Sequence, residues 1–249
     1  MKLSATIITL NEEKNIANAI RSVSFADEII VVDSNSSDKT CQIAQNLGAK
    51  VHHHPFHCHG QQKNHAASLA KGEWILSIDA DEEVSDPLKK SILSAISQQN
   101  HSMYRINRRT NYCNRWIYHG GWYPDYLLRL YRQGEARWSE PHLHEKLVPV
   151  NNKEKIPLLQ GHLNHYSFPT VKSQILTNLR YASMAAEDLR KKNKNKSYFL
   201  KMIMKPFFKF LECYFLKKGI LDGIPGMIIA FNAAHSTFMK YSFAHMDKS

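Results

Sequence analysis

Cysteine is scarce in this chain. Cys41, Cys58, Cys113 and Cys213 are scattered and form no CxxC pair, which speaks against a disulfide-stapled scaffold and fits reduced thiols in a cytoplasmic protein. No stretch reaches the roughly 18 to 20 apolar residues that cross a bilayer. The opening MKLSATIITLNEEKN has one early Lys and a short apolar run with acids close behind, so no secretory signal is expected. No GxGxxG follows the first apolar strand, which argues against an NAD-type dehydrogenase. A nucleotidyltransferase would carry a Gly-rich basic loop there, and Thr9-Leu10-Asn11-Glu12 is not one. No internal repeat is present. Acid is also in deficit: 22 Asp and Glu against 33 Lys and Arg give a formal charge of +11. That balance calls for an anionic partner: nucleic acid, phosphorylated glycan, nucleotide diphosphate or anionic lipid.

What is present reads as an α/β chain, long enough for one large domain or a catalytic domain with an appendage. Buried strands are expected at Leu3 to Leu10, Glu28 to Asp33, Val51 onward and Trp74 to Asp79. Helices are expected between them. Asn11 is placed to cap the first, with Glu12 and Glu13 in its positive first turn. Ser37 to Leu47 forms the next, with Gly48 as its C-terminal stop. Gly60 to Lys71 follows, and Asp86-Pro87 opens another. Continuous apolar strands alternating with helices imply a parallel sheet covered on both faces. Ligands of such sheets bind at the carboxyl ends of the strands. Three polar clusters fall there: Thr9-Leu10-Asn11-Glu12, Asp33-Ser34-Asn35 and Asp79-Ala80-Asp81-Glu82. From about Met103 to Val150 the pattern changes to short, aromatic-rich, antiparallel-type segments. Helices are expected at Val171 to Arg190, Tyr198 to Lys218 and Ile224 to Tyr241, with the basic linker Arg190 to Lys196 between the first two.

Asp79-Ala80-Asp81 sets two carboxylates at the rim of a cleft. Hard oxygen ligands suit Mg²⁺ or Mn²⁺, which take one or two carboxylates plus substrate phosphates. Asp33, at the end of its strand, is suited to accept hydrogen bonds from a base or a ribose hydroxyl. The cluster HHHPFHCHG (residues 52–60) lacks a second ligand pair at the spacing of a closed zinc site and reads as a polar strand end and loop.

The succession SATIITLNEEKNI, EIIVVDSNSSDKT and GQQKNHAASLAKGEWILSIDADE resembles the inverting glycosyltransferases of family 2, in particular the bacterial branch that adds glucose to the inner core of lipopolysaccharide. The motifs cover roughly the first 85 residues, and looser matches continue through GGWYPDYLLRLYR, HLHEKL and LNHYSF. The resemblance implies a GT-A fold, a Rossmann-like, mostly parallel sheet with flanking helices, occupying residues 1–170. Within it, 1–100 would bind the nucleotide sugar and 101–170 the acceptor, and 171–249 would form a C-terminal helical appendage. It implies that Thr9, Asn11 and Glu12 lie near the nucleotide, that Asp33 binds the uridine part, that Lys63 and Asn64 lie near the donor, and that Asp79 and Asp81 match the metal-binding Asp-x-Asp, Asp81 being the more direct ligand. Inversion would be a single displacement. Relatives often take their base from a Glu-Asp pair, which this chain lacks; Glu145 in HLHEKL is the expected base and Asp125 the runner-up. Arg129 and Arg132 face opposite sides of a strand-like run, and one of them is expected to meet a phosphate. Trp122, like Trp116, Tyr123 and Trp138, is a candidate sugar platform. His165 is a candidate metal or phosphate contact. The implied partners are a UDP-sugar, UDP-glucose first, and a lipid-linked glycan. The alternatives are another polyprenyl-linked or capsular acceptor, or a non-catalytic protein binding nucleic acid or an anionic surface.

The C-terminal part carries its own signal. Lys201, Lys205 and Lys209 fall at i, i+4 and i+8, among Phe199, Met202, Ile203, Phe207, Phe210 and Leu211, with Pro206 expected to kink the helix. A basic, Phe-rich amphipathic helix fits the interface of an anionic bilayer, and the expected location is peripheral, on the inner face of the cytoplasmic membrane. Basic residues beside apolar helices, with no reader motif, leave nucleic acid an unexpected partner.

Overall fold

The computed structural model describes residues 1–140, 145–151, 155–192 and 198–246. The chain divides into two compact units, residues 1–108 with 125–166, and residues 109–124 with 167–249.

The first unit is built on β1 (Leu3–Thr9), β2 (Glu28–Asp33), β3 (Lys50–His53), β4 (Trp74–Asp79), β5 (Glu82–Val84), β6 (Met103–Tyr112), β8 (Asp125–Arg132) and β11 (Leu158–Phe168), counting β7 (Arg115–Trp116) in the second unit. The sheet order is β3-β2-β1-β4-β8-β6-β11-β5. β3, β2, β1 and β4 are parallel, and β8 joins β4 antiparallel. A separate ribbon pairs β9 (Ala136–Trp138) with β10 (Leu147–Pro149). The helices are α1 (Ile16–Ser22), α2 (Thr40–Asn46), α3 (His59–Leu69) and α4 (Asp86–Gln98). Ala5, Ile7, Val31, Leu76 and Ile78 are fully buried, as expected of strands covered on both faces. One core joins them to Ile16 and Ile20 of α1 and to Leu88 and Ile92 of α4.

Two helix starts differ from the sequence expectation. Asn11 does not cap α1. It adopts a left-handed backbone, φ 54°, and its Oδ1 accepts from the Ser37 amide at 2.8 Å. A turn closed by Asn15 N–H to Glu12 O comes first, so α1 begins at Ile16 with no acid in its first turn. α2 likewise starts at Thr40 because Asp38 holds the Thr40 amide. Gly48 does end α2, at φ 80°, where a side chain would be strained.

Glu28 ties the early strands together. Its carboxylate accepts from Ser4 Oγ at 2.7 Å, the Lys71 amide at 2.7 Å and Lys50 Nζ at 2.9 Å. Burial alone would raise its pKa, but these donors outweigh burial and hold it at about 2. A depressed folded-state value means stability that is full above the unfolded value of about 4.3 and is lost as pH falls toward 2. Glu28→Ala should cost about 2–3 kcal/mol at pH 7. Urea denaturation should show the gap from wild type narrowing as pH falls to 3.

The second unit holds α5 (Val171–Lys192), α6 (Phe199–Leu211) and α7 (Gly223–Met246), the last two joined by a π-helical turn at Glu212–Leu216 and a 3₁₀ turn at Gly219–Asp222. α6 runs through Pro206 without interruption. Residues 193–197, most of the basic linker, lie outside the described residues. Gly226 is required where α7 passes the 3₁₀ turn, because a Cβ there would stand 1.9 Å from Gly219 O. Residues 109–124, expected in the catalytic half, cluster with these helices. Tyr112 donates to Gln174 at 2.8 Å.

Candidate active site

The carboxyl ends of β1, β2 and β4 lie side by side, with Thr9 opposite Asp33 and Ile8 opposite Asp79. β1 and β2 bring the nucleotide-binding candidates together. Thr9 is buried, and its hydroxyl has no hydrogen-bond partner among the described residues. Asp33 is fully buried and accepts from the Ser36 amide and hydroxyl. The Glu12 amide donates to Thr40 Oγ1 at 2.8 Å. Burial raises the Glu12 pKa, and the Asp81 and Asp38 charges add to the rise.

β4 ends in a network of charges. Asp79 meets Lys63 Nζ at 3.0 Å and Arg129 Nη2 at 3.0 Å. Burial would raise its pKa, but the two cations hold it far below the usual carboxylate range. Lys63, on α3, also reaches Glu145 Oε1 at 3.0 Å, and its ammonium lies 4.5 Å from the Trp138 ring centre. Glu145 is partly buried, which raises its pKa; Lys63 more than reverses this and leaves it lowered. The residues before it in HLHEKL, 142–144, are outside the described set. Arg129, buried in β8, also meets Glu82 at 3.2 Å and lies 5.3 Å from the Trp138 ring. Its Nε and Nη1 have no hydrogen-bond partner among the described residues.

Glu82, in sequence only the last member of the cluster after β4, has no role assigned by the motif. It is fully buried in β5, accepts from Arg108 Nη1 at 3.1 Å and takes the Asp79 amide at 2.9 Å. Its signal was only the run of acids in DADEE. Arg108 in turn grips Asp125 through Nε at 2.9 Å and Nη2 at 2.8 Å. On the other side, Asp81 stands 3.2 Å from His165 Nε2. Burial opposes protonation of His165, but Asp81 outweighs it and raises the pKa.

Other candidates are engaged elsewhere. The Asn64 side chain clamps β9, giving to Trp138 O at 3.0 Å and accepting from Trp138 N at 2.9 Å. Arg132 lies opposite Trp74 at the start of β4, at the other end of the strand from Asp79, and pairs with Glu73 and Gln99. Of the two arginines only Arg129 joins the site. Trp122 belongs to the second unit, where its ring packs on Tyr112 and Phe168 at 5.8 and 5.6 Å. Trp116 stacks under Arg109 at 4.3 Å. Trp138 is the candidate platform that sits among the charges. In the His-rich segment, His54 stacks on His65 and bonds Gln62. The three metal-type ligands that approach within 4.8 Å of one another among the described residues are Asp33, Cys41 and His53. Burial and the Asp33 carboxylate push the Cys41 thiol up to about 11.

Six carboxylates (Glu12, Asp79, Asp81, Glu82, Asp125, Glu145) thus converge on three permanent cations (Lys63, Arg108, Arg129) and one imidazole. A diphosphate entering this site would meet an excess of negative charge, and a divalent cation would correct it. Asp79 is already neutralised by its two partners. Asp81 and His165, an oxygen and a nitrogen donor, are the pair that fits such an ion.

The sequence profile described as glycosyl transferase family 2 matches residues 4–153. The chain belongs to this glycosyltransferase family. A relative named as an uncharacterized glycosyltransferase of Rickettsia typhi is 32% identical over 96% of this chain and 85% of its own. LpsC of Rhizobium meliloti, named a lipopolysaccharide core biosynthesis glycosyltransferase, is 26% identical over 97% of this chain and 94% of its own. Among solved structures, Staphylococcus aureus TarS 1–349 aligns over 96% of this chain and 91% of its own, with TM-score 0.48 and 16% identity. Glucosyl-3-phosphoglycerate synthase of Mycobacterium tuberculosis, solved with Mn²⁺, UDP and phosphoglyceric acid, aligns over 44% of this chain and 43% of its own, with TM-score 0.38 and 23% identity. Both scores are below 0.5, and the assignment stands on the sequence matches. The protein is a glycosyltransferase of GT-A type, with the mixed sheet and flanking helices described above.

Proposed function

We propose that this glycosyltransferase is inverting and transfers a hexose, glucose from UDP-glucose in the first instance, to a lipid-linked sugar of the lipopolysaccharide core. The observation that carries this reading is the convergence, at the carboxyl ends of β1, β2 and β4, of Asp33, the Asp79–Asp81 pair and Glu145, with Lys63 bridging Asp79 and Glu145. The name of LpsC supports the class of acceptor. In this reading Thr9 and Asp33 receive the nucleoside, and Asn11 shapes the turn beside them. Lys63 and Arg129 provide positive charge beside the diphosphate, and the two unpartnered Arg129 groups are available to donate to it. Glu145 takes the proton from the acceptor hydroxyl as that oxygen attacks the sugar's anomeric carbon and the nucleoside diphosphate leaves. Asp81 and His165 would hold Mg²⁺ or Mn²⁺, which supplies charge neutralisation of the leaving diphosphate. The acceptor's lipid places the work at the inner face of the cytoplasmic membrane.

The test is release of UDP, GDP or ADP from a panel of nucleotide sugars, with and without Mg²⁺ or Mn²⁺. UDP release from one sugar that needs the metal, and falls by at least about 100-fold in Asp81→Ala, is the expected result. Metal-independent turnover, or a fully active variant, would remove Asp81 from the metal role.

A further inference from the structure

α6 places its apolar stripe on the outside. Leu200, Ile203, Met204 and Phe207 recur at i, i+3, i+4 and i+7, the spacing that normally faces a core. Here all four are exposed, and α6 has no buried residue at all. α6 meets α7 at the edge of this stripe, with the Phe210 ring 4.6 Å from that of Phe231. Beyond α6 the apolar surface continues through Leu216, Leu221 and Ile224, exposed by 79%, 65% and 69%. A surface of this extent is rare on a protein that stays in water. No helix of the described residues is long and apolar enough to cross a membrane.

The charge around the stripe selects its occupant. Lys201, Lys205 and Lys209 run along one flank, and Lys217 and Lys218 stand at the π-turn's end. Across residues 198–246 there are six lysines and only two acids, Glu212 and Asp222. Asp222 faces inward, accepting from the Tyr118 and His119 amides at 3.2 and 2.8 Å. Glu212 is taken up by Lys209 and Lys217. The net charge of this face is therefore positive, with Lys201, Lys205 and Lys218 beside the Lys209–Glu212–Lys217 cluster. An open groove of about 570 Å³ lies beside the stripe, lined by apolar Phe208, Leu211, Phe215 and Leu216, by Thr237, by Lys205 and Lys209, and by Glu212, which Lys209 pairs at 3.1 Å. An apolar lining with ammonium groups beside it matches an acyl chain beneath a phosphate headgroup.

We propose that α6, the two turns after it and the start of α7 form a lipid-docking face that lies in the interface of an anionic phospholipid bilayer, with an acyl chain in the groove. This deepens the membrane location given above by naming the face and the lipid class. It does not need the sugar chemistry to be right.

The experiment is sedimentation of the full-length protein with vesicles of phosphatidylcholine, with and without phosphatidylglycerol. The expected result is binding to the anionic vesicles, weakened by salt. Replacing Phe207 and Phe208 together by Ser should weaken binding by about tenfold or more, while UDP affinity and the circular dichroism spectrum stay as in wild type. Replacing Lys201, Lys205 and Lys209 by Gln should remove the preference for phosphatidylglycerol. Wild-type protein that ignores both vesicles would overturn the proposal even if it transfers sugar. So would wild-type affinity in the double-Ser variant, or self-association through this face in place of lipid binding. Vesicle binding by a protein that turns over no nucleotide sugar would uphold the docking face and count against the catalytic reading alone.

Discussion

Glu145→Gln should lower kcat for sugar transfer by about 10² to 10⁴, the range for loss of a general base, and leave UDP affinity near wild type. The Lys63 partner holds the Glu145 pKa below the ordinary glutamate value, so the group is ionised at neutral pH and can accept a proton. An ion-paired carboxylate is a weak base, but the acceptor hydroxyl becomes far more acidic as its oxygen bonds to the anomeric carbon, so transfer late in the displacement suffices. The amide of Gln keeps the shape and cannot take the proton. Nucleotide binding survives because Lys63 and Arg129 still hold Asp79. The sign for pH follows from the same shift. Activity that depends on ionised Glu145 should hold as pH falls to the usual carboxylate range and fail only below it. Asp125→Asn is the discriminating control. Its carboxylate is gripped by two nitrogens of Arg108, so its loss should cost much less in kcat. Single-turnover rates for both variants decide the matter; a large loss in Asp125→Asn with an active Glu145→Gln would reverse the assignment.

The parallel half of the sheet is legible because β1, β2 and β4 are largely apolar and buried on both faces, and that pattern does not depend on distant partners. The order of polar clusters at strand ends was legible for the same reason: once β1, β2 and β4 are parallel neighbours, Thr9, Asp33 and Asp79 must share an edge. What escaped was set by register and by contacts distant in sequence. Parity along β8 said that Arg129 and Arg132 diverge, but only the pairing of Arg132 with Trp74 says that Arg129 is the one beside Asp79. Glu82 reads as one more acid in DADEE, and its burial is decided by Arg108 and Arg129, 26 and 47 residues away. The start of α1 was misplaced because Asn11 is a good cap residue whose side chain is drawn off by the Ser37 amide. Trp122 and Trp138 look alike in sequence. One packs with Tyr112 and Phe168, and the other lies within reach of Lys63 and Arg129.

Glu82→Ala should destabilise the protein by about 3–5 kcal/mol, the cost of breaking a buried ion pair from one side. The loss is large because the Glu82 side chain is fully buried and answers two arginines and the Asp79 amide together. Without it, Arg129 keeps Asp79 as its one carboxylate, deep in the unit, and Arg108 keeps only Asp125. The N–H groups of Arg129, 4% exposed, cannot turn to water, so its desolvation cost goes uncompensated, while Arg108, 24% exposed, recovers part of its own. Against a typical total of about 5–15 kcal/mol, a loss of this size shifts the urea midpoint strongly. Glu82→Gln should fall between, because it keeps volume and an acceptor for one arginine while removing the charge. A double-mutant cycle with Arg108→Ala should show coupling, since part of the cost in Glu82→Ala is the stranded Arg108. Donor binding should weaken in parallel, because Arg129, held by Asp79 alone, is no longer fixed from two sides. A Glu82→Ala protein as stable as wild type but unable to transfer sugar would move Glu82 out of the supporting frame and into the chemistry itself.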